Sequence, residues 1–382
     1  MFESIRGNKN NFRSAVISVD PLSETIKFGF MTEEGKTLST ASYGYTPRAF
    51  DKEFFYHLAG VLEQQTKNPC ADLQKVSLIL PDQLFLLDMV SVPVIHRKAM
   101  QNSLSLAIEN IYGNTEELNL KTFAIRQTKQ TATYGLTGIR RDLLSELRRV
   151  FSENGVSVEE VTFASNAAAN GAVALNGKLR NGSFLLLDIK ENYSRFAFVI
   201  RGCTMGYYDL PFGYGMLYES RVAAENTLFD HRAGELLVLN AKERARAKQL
   251  TTDGDTSRQS DGEYEYEDEF GKAGKKLPKF MLRPVPRSKD EYVYENFRIF
   301  VKWALELIAG NDELVSLAGI DTVCVNMPAA YIGVLEAVNR AKAEHGVIFT
   351  PLLAEGTDPV LAENLELYGA FFLNRSNEEN TF

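Results

Sequence analysis

SFLLLDIKENYSRFAFVIRGCTMGYYDL, residues 183–210, decides the fold. Ser183–Asp188 reads as a strand closed by an aspartate. A polar turn, Lys190-Glu-Asn-Tyr-Ser194, leads into two more strand-like runs, Arg195–Ile200 and Thr204–Leu210, joined at Arg201-Gly202. The chain opens in the same order. Ser14–Asp20 ends in aspartate, a turn begins at Pro21, and Thr25–Met31 and Lys36–Tyr43 complete three strands.

The likeness continues outward from both triplets. Phe50, Phe54, Leu58, Val61 and Leu62 recur at helical spacing after the first, and Phe297, Phe300, Val301, Ala304, Leu305 and Ile308 do so later in the second half. Strands follow at Val76–Leu80 and Asp321–Asn326, then helices at Arg140–Glu153, ending at Asn154-Gly155, and Tyr331–Glu344. Strands at Ser157–Phe163 and Gly346–Thr350 and helices at Ser165–Leu175 and Ala362–Leu373 close the halves. Each half therefore reads as three strands, helix, strand, helix, strand, helix. That alternation implies an α/β chain of two domains, each a mixed sheet with helices packed on it, over about 12–178 and 182–382.

Two stretches interrupt the repeat. Residues 84–139 carry strands near Phe85–Val92, Lys121–Arg126 and Thr133–Ile139 and a helix, Lys98–Tyr112, enough for a small inserted subdomain. Residues 211–295 form the second insertion. Within it, 251–291 has an acidic block followed by a basic one and no core pattern, which predicts a solvated, mobile loop.

Composition narrows the function classes. At 382 residues with 45% hydrophobic and 24% charged residues, the chain suits two soluble domains with a sizeable core. A net charge of −8 opposes a chain-wide affinity for nucleic acid, whose phosphates need a concentrated basic face. The polar stretch from Met1 has no signal-peptide run, and nothing later approaches the ~20 apolar residues of a membrane span, so a cytoplasmic location is expected. Cys70, Cys203 and Cys324 and the four histidines are scattered without ligand spacing, which argues against a metal site. Cys203 and Cys324, in apolar runs, read as buried thiols.

Several motifs mislead. Gly29 to Thr37 nearly spells a phosphate loop, but five residues separate its glycines where four are needed, and it lies between strands. Gly213-Tyr-Gly215 lacks the third glycine of a dinucleotide fingerprint. Arg140-Arg141 and Arg148-Arg149 read as a solvated stripe on an amphipathic helix.

Two ribonuclease-H-like halves with small insertions describe the actin, Hsp70 and sugar-kinase superfamily. Within it the chain most resembles the type IV pilus assembly protein PilM family, with FtsA more distant. Local segments carry the resemblance: Leu80-Pro-Asp82, Asp88 to Pro93 and Glu109 to Tyr112 in the first half, and Leu187-Asp188, Arg201-Gly202, Leu210 to Gly213 and Leu367 to Phe371 in the second. The resemblance implies a cleft for ATP and magnesium, with Asp20, Ser23, Asp188, Lys190, Asn192, Ser194 and Asn326 as the candidate nucleotide and magnesium residues. An aspartate at each strand end would position hydrated magnesium or the attacking water. The turns depart from the family pattern. Pro21 and Leu22, then Lys190 beside Glu191, and then Val325-Asn-Met-Pro328 stand where glycines normally let backbone donors approach the nucleotide.

The resemblance therefore implies an adaptor with little or no ATPase activity. Such a protein sits at the inner face of the cell membrane, contacts other pilus or secretion components, and binds the cytoplasmic N-terminal tail of a PilN-like bitopic protein beside 84–139. An ATP-dependent switch or filament former, and a small-molecule kinase on the same scaffold, are the alternatives.

Overall fold

The computed structural model describes residues 14–31, 38–45, 49–66, 75–210, 213–214, 300, 302–311, 315, 319–320, 322–327, 348–352 and 359–372. In the first half β1 (Ser14–Asp20), β2 (Thr25–Met31) and β3 (Leu38–Gly44) form an antiparallel meander. β4 (Lys75–Leu80) and β8 (Ser157–Phe163) extend it in parallel, giving the order β3-β2-β1-β4-β8. The second half builds the same sheet from β9 (Phe184–Ile189), β10 (Ser194–Ile200), β11 (Cys203–Leu210), β12 (Thr322–Asn326) and β13 (Ile348–Pro351), in the order β11-β10-β9-β12-β13. Every residue of β9 and β10 is buried, which is why Phe184–Leu187 and Phe196–Ile200 run apolar without alternation.

Alternation of side chains along β1 assigns two cores. Ile17 and Val19 join Phe28, Phe55, Leu58, Leu147 and Phe151 beneath α1 (Lys52–Thr66) and α3 (Arg141–Glu153). Val16, on the opposite face, meets Ala164 and Ala167 of α4 (Ala164–Leu175) and Leu367 of the last helix. In the second half Phe196, Phe198 and Val323 pack with Phe300 and with Ala304 of α5 (302–310). On the other face of that sheet, Phe184, Leu186 and Ala197 pack with Ala168, Ala169 and Ala172 of α4.

α4 therefore lies between the two sheets and touches both. A helix enclosed that way has room only for small side chains, which accounts for its alanines.

Helix ends follow the local signals. Gly155 takes φ +76° after α3, and Val156 N–H returns to the Phe151 carbonyl, so Asn154-Gly155 ends the helix in a left-handed C-terminal turn. The final helix departs from expectation. It is not continuous over 362–373 but splits into α6 (Pro359–Glu363) and α7 (Leu365–Ala370). Asn364 sits at φ −121°, ψ 43°, outside the helical region, and its side-chain amide bonds back to the Val360 carbonyl. Cys324 is buried, as expected, while Cys203 is only half-buried.

A third sheet, ordered β5-β7-β6, is made of β5 (Phe85–Pro93), β6 (Leu118–Gln127) and β7 (Thr131–Arg140). α2 (Arg97–Tyr112) covers one face through Ile108 against Val90, Val92 and Leu136. Toward the second half, Ile125, with Met89 and Phe123, packs on Ile200 and Met205. The small subdomain therefore contacts both halves of the molecule. The helix expected at 331–344 and the charged loop at 251–291 lie outside the described residues, as does all of the second insertion except Gly213 and Tyr214.

Candidate functional site

β1 and β9 end side by side where the two halves meet, and each delivers an aspartate there. Asp20 turns back on its own hairpin. Its Oδ1 accepts from the N–H groups of Leu22 (3.1 Å) and Ser23 (3.4 Å), and its Oδ2 accepts from Ser23 Oγ (2.6 Å). Ser23 is thereby spent on the turn, and its hydroxyl also lies 2.7 Å from Thr25 Oγ1. From the second half, Tyr193 donates its phenol to Asp20 Oδ2 at 2.9 Å. Burial first, and then the charge of Asp20, push the Tyr193 phenol well above its usual pKa, so it stays a donor.

Asp188 is buried and equally engaged. Asn326 Nδ2 donates to its Oδ1 at 2.8 Å and also to the Ala362 carbonyl at 2.8 Å. Asn326 Oδ1 is buried with no hydrogen-bond partner among the described residues. Lys190 Nζ lies 3.2 Å from Asp188 Oδ2, 2.7 Å from Glu366 Oε2 and 3.2 Å from the Glu363 carbonyl oxygen. Glu366 Oε1 meets Lys27 Nζ from β2 at 3.1 Å. Burial alone would discharge both partners. For Lys190 the facing Asp188 and Glu366 outweigh it and hold the ammonium charged above its usual range. For Glu366 the charges of Lys190 and Lys27 outweigh it and hold the carboxylate well below its usual range.

Beside this group lies a second set of charges. Asp82, in the turn after β4, is fully buried. Its Oδ1 accepts from the Ser165 N–H (2.9 Å) and the Ser165 hydroxyl at the start of α4. Its Oδ2 faces an Arg195 nitrogen at 3.1 Å. Arg195 also grips Asp209 through Nε (2.6 Å) and a second nitrogen (3.2 Å), and its guanidinium stands 5.7 Å from the Tyr193 ring centre. Arg195 and Asp209 are directly paired across β10 and β11, so hairpin register alone brings them together.

Of the residues named from the sequence, Asp20, Asp188, Lys190 and Asn326 meet here. Ser194 is buried in β10, while Asn192 is exposed and stands apart. Sequence reading missed Lys27, Asp82, Tyr193, Arg195, Asp209 and Glu366. It also gave Gly213 no role. A Cβ there would stand 2.0 Å from the Lys190 carbonyl oxygen, so Gly213 is what lets the chain just after β11 lie against the Lys190 turn, where Tyr214 N–H bonds to the Lys190 carbonyl.

The side chains that converge leave a cavity of about 10 Å³, lined by Ser18, Asp20, Ala164, Asp188, Lys190, Tyr193, Arg195 and Glu366. That is room for roughly one water. These residues do not fit ATP and magnesium. Both aspartates already hold donors or a cation, and the Lys190 ammonium fills the space between Asp188 and Glu366.

Two sheets of one strand order, meeting across a cleft with a helix between them, define an actin-like fold. No family model and no curated protein matches the sequence. Among solved structures, the chain is similar to one from a PilM-PilN type IV pilus biogenesis complex. The TM-score is 0.51 at 13% identity, over 94% of this chain and 99% of that one. It also aligns with the ethanolamine utilization protein EutJ of Carboxydothermus hydrogenoformans (TM-score 0.37, 12% identity, 93% and 89% covered). A third is the ROK hexokinase of Thermus thermophilus (TM-score 0.37, 16% identity, 94% and 96% covered). The first of these likenesses supports the fold, and a fold does not by itself carry a function. Among the described residues no helix is long and apolar enough to cross a membrane.

Proposed function

We propose that the chain is a PilM-like adaptor of a type IV pilus or related secretion assembly, with little or no ATPase activity. It works at the inner face of the cell membrane by binding the cytoplasmic N-terminal peptide of a PilN-like single-span protein. The observation that carries this reading is the filled cleft, where Lys190 and Tyr193 occupy the two carboxylates that a magnesium nucleotide would need. A two-domain frame whose cleft is taken up by its own side chains is suited to holding partners in place.

Support for the partner comes from the similar chain solved in a PilM-PilN complex. It comes also from the small sheet, whose outer strands β5 and β6 each pair on one side only among the described residues. An extended peptide gains main-chain hydrogen bonds by adding to such an edge. In this reading the first domain spans about 12–178 with the peptide-binding subdomain at 84–139. The second spans 182–382 with its insertion at 211–295.

The test uses the full chain and a labelled synthetic peptide, the N-terminal cytoplasmic segment of a PilN-like single-span membrane protein from the same genome. Saturable binding with new hydrogen-exchange protection in β5 or β6 is expected. No binding, or protection confined to the second domain, refutes the assignment. A nucleotide-dependent switch or filament former is the alternative, favoured by Asp20 and Asp188 at equivalent strand ends.

A further inference from the structure

We propose that Lys190 and Tyr193 form a built-in latch that replaces the nucleotide and its cation, holding the two halves closed with no ligand bound. The inference rests on the reading of the cleft as filled, and it adds what the filling does. In an actin-like frame a ligand between the halves bonds to both and sets the angle between them. Here bonds between the halves are made by the chain's own side chains.

Three links cross the junction. Tyr193 of the second half donates to Asp20 of the first at 2.9 Å. Arg195 of the second half meets Asp82 of the first at 3.1 Å. Lys27 of the first half reaches Glu366 of the second at 3.1 Å, and Lys190 holds the same carboxylate from within the second half at 2.7 Å. Glu366 stands on α7, and its neighbours face both domains. Leu365 packs in the core of the second sheet, and Leu367 packs in that of the first. A single carboxylate in the helix between the halves thus receives one cation from each.

Charge balance explains why the cation must come from within. Asp188 and Glu366 are both buried, and two adjacent buried carboxylates cannot both ionise without a positive charge between them. In a nucleotide site magnesium supplies that charge and leaves with the nucleotide. Lys190 supplies it on a tether. Any opening motion that moves the Lys190 turn away from α7, or Tyr193 from Asp20, strands buried polar groups. Closure is then the resting state.

Hydrogen exchange on the full chain tests this. The reporters are the amides of Leu22, Lys190 and Tyr214, which bond to Asp20 Oδ1, the Tyr193 carbonyl and the Lys190 carbonyl. The controls are Leu147 and Val150 in the buried face of α3. Tyr193→Phe removes a single hydroxyl and keeps the ring, and Lys190→Met removes the charge and keeps the stem. Both should speed exchange at the reporters tenfold or more and leave the controls unchanged. Millimolar Mg-ATP should leave the wild-type reporters unaltered. Unchanged reporters in both variants overturn the latch, as does acceleration spread equally over the α3 controls, which would signal general loss of stability. A tenfold slowing of the wild-type reporters by Mg-ATP also overturns it, because a ligand would then be completing the closure. Failure of the peptide to bind sinks the adaptor reading alone.

Discussion

Gly369 of α7 lies so close to Ala167 of α4 that a Cβ on the glycine would stand 1.9 Å from the Ala167 carbonyl oxygen. Gly171 repeats the relationship in reverse, with the Leu365 carbonyl oxygen 2.3 Å from where its Cβ would lie. The two helices between the domains therefore cross backbone on backbone, and neither obstacle is a side chain that can swing aside. Gly369→Ala or Gly171→Ala should force the helices apart and cost about 1–3 kcal/mol or more, read as a lower denaturation midpoint. Gly60 is the control. It sits inside α1 with nothing within 4 Å of its would-be Cβ, so Gly60→Ala should stabilise by about 0.5–1 kcal/mol.

Removing the Arg195 guanidinium leaves Asp82 and Asp209 facing each other without a cation, with Asp82 fully buried. Arg195→Met should destabilise the chain by about 3–5 kcal/mol in chemical denaturation, the usual cost of breaking a buried pair from one side. A loss under about 1 kcal/mol would mean that solvent already screens the pair.

The pH dependence has a definite sign. Glu366 has its pKa lowered in the folded state, so its contribution is complete above the unfolded value of roughly 4.3 and is lost as pH falls from there toward the folded value. Lys190 is raised, so its contribution is complete below roughly 10.4 and is lost as pH rises through the folded value. Neither group should tilt the stability curve between about pH 6 and 9. Glu366→Gln should lower stability throughout that plateau and flatten the acid limb. An unchanged acid limb in the variant would show that other carboxylates account for it.

How much of this was readable in the sequence differs between frame and site. Both strand triplets stood out because a strand buried on two faces must be apolar without a break, as Ser14–Asp20 and Ser183–Asp188 nearly are. The break at Asn364 was hidden, since asparagine is common enough within helices. Glu366 was hidden differently. Between Leu365 and Leu367 it looks like the solvent-facing residue of an amphipathic helix, and its partner Lys190 is 176 positions away. No local period encodes such a pairing. Arg195 with Asp209 was accessible in principle, because the hairpin register of β10 and β11 sets them opposite each other.

Nucleotide binding has a simple thermal readout. A ligand present at 100 times its dissociation constant adds roughly 2.7 kcal/mol to stability. With millimolar Mg-ATP we expect no shift in the unfolding temperature, because the about 10 Å³ between Asp20 and Asp188 is too small for a phosphate. A clear upward shift that vanishes in Asp188→Ala would establish a live site and favour the switch.

Ile125, packed with Ile200 and Met205, gives the small sheet a second footing on the far half of the molecule. If a partner peptide adds to β6 as proposed, a tug on it would not peel one appendage from one domain. It would be borne by both halves at once, as a beam resting on two piers carries a load that would tip it from one.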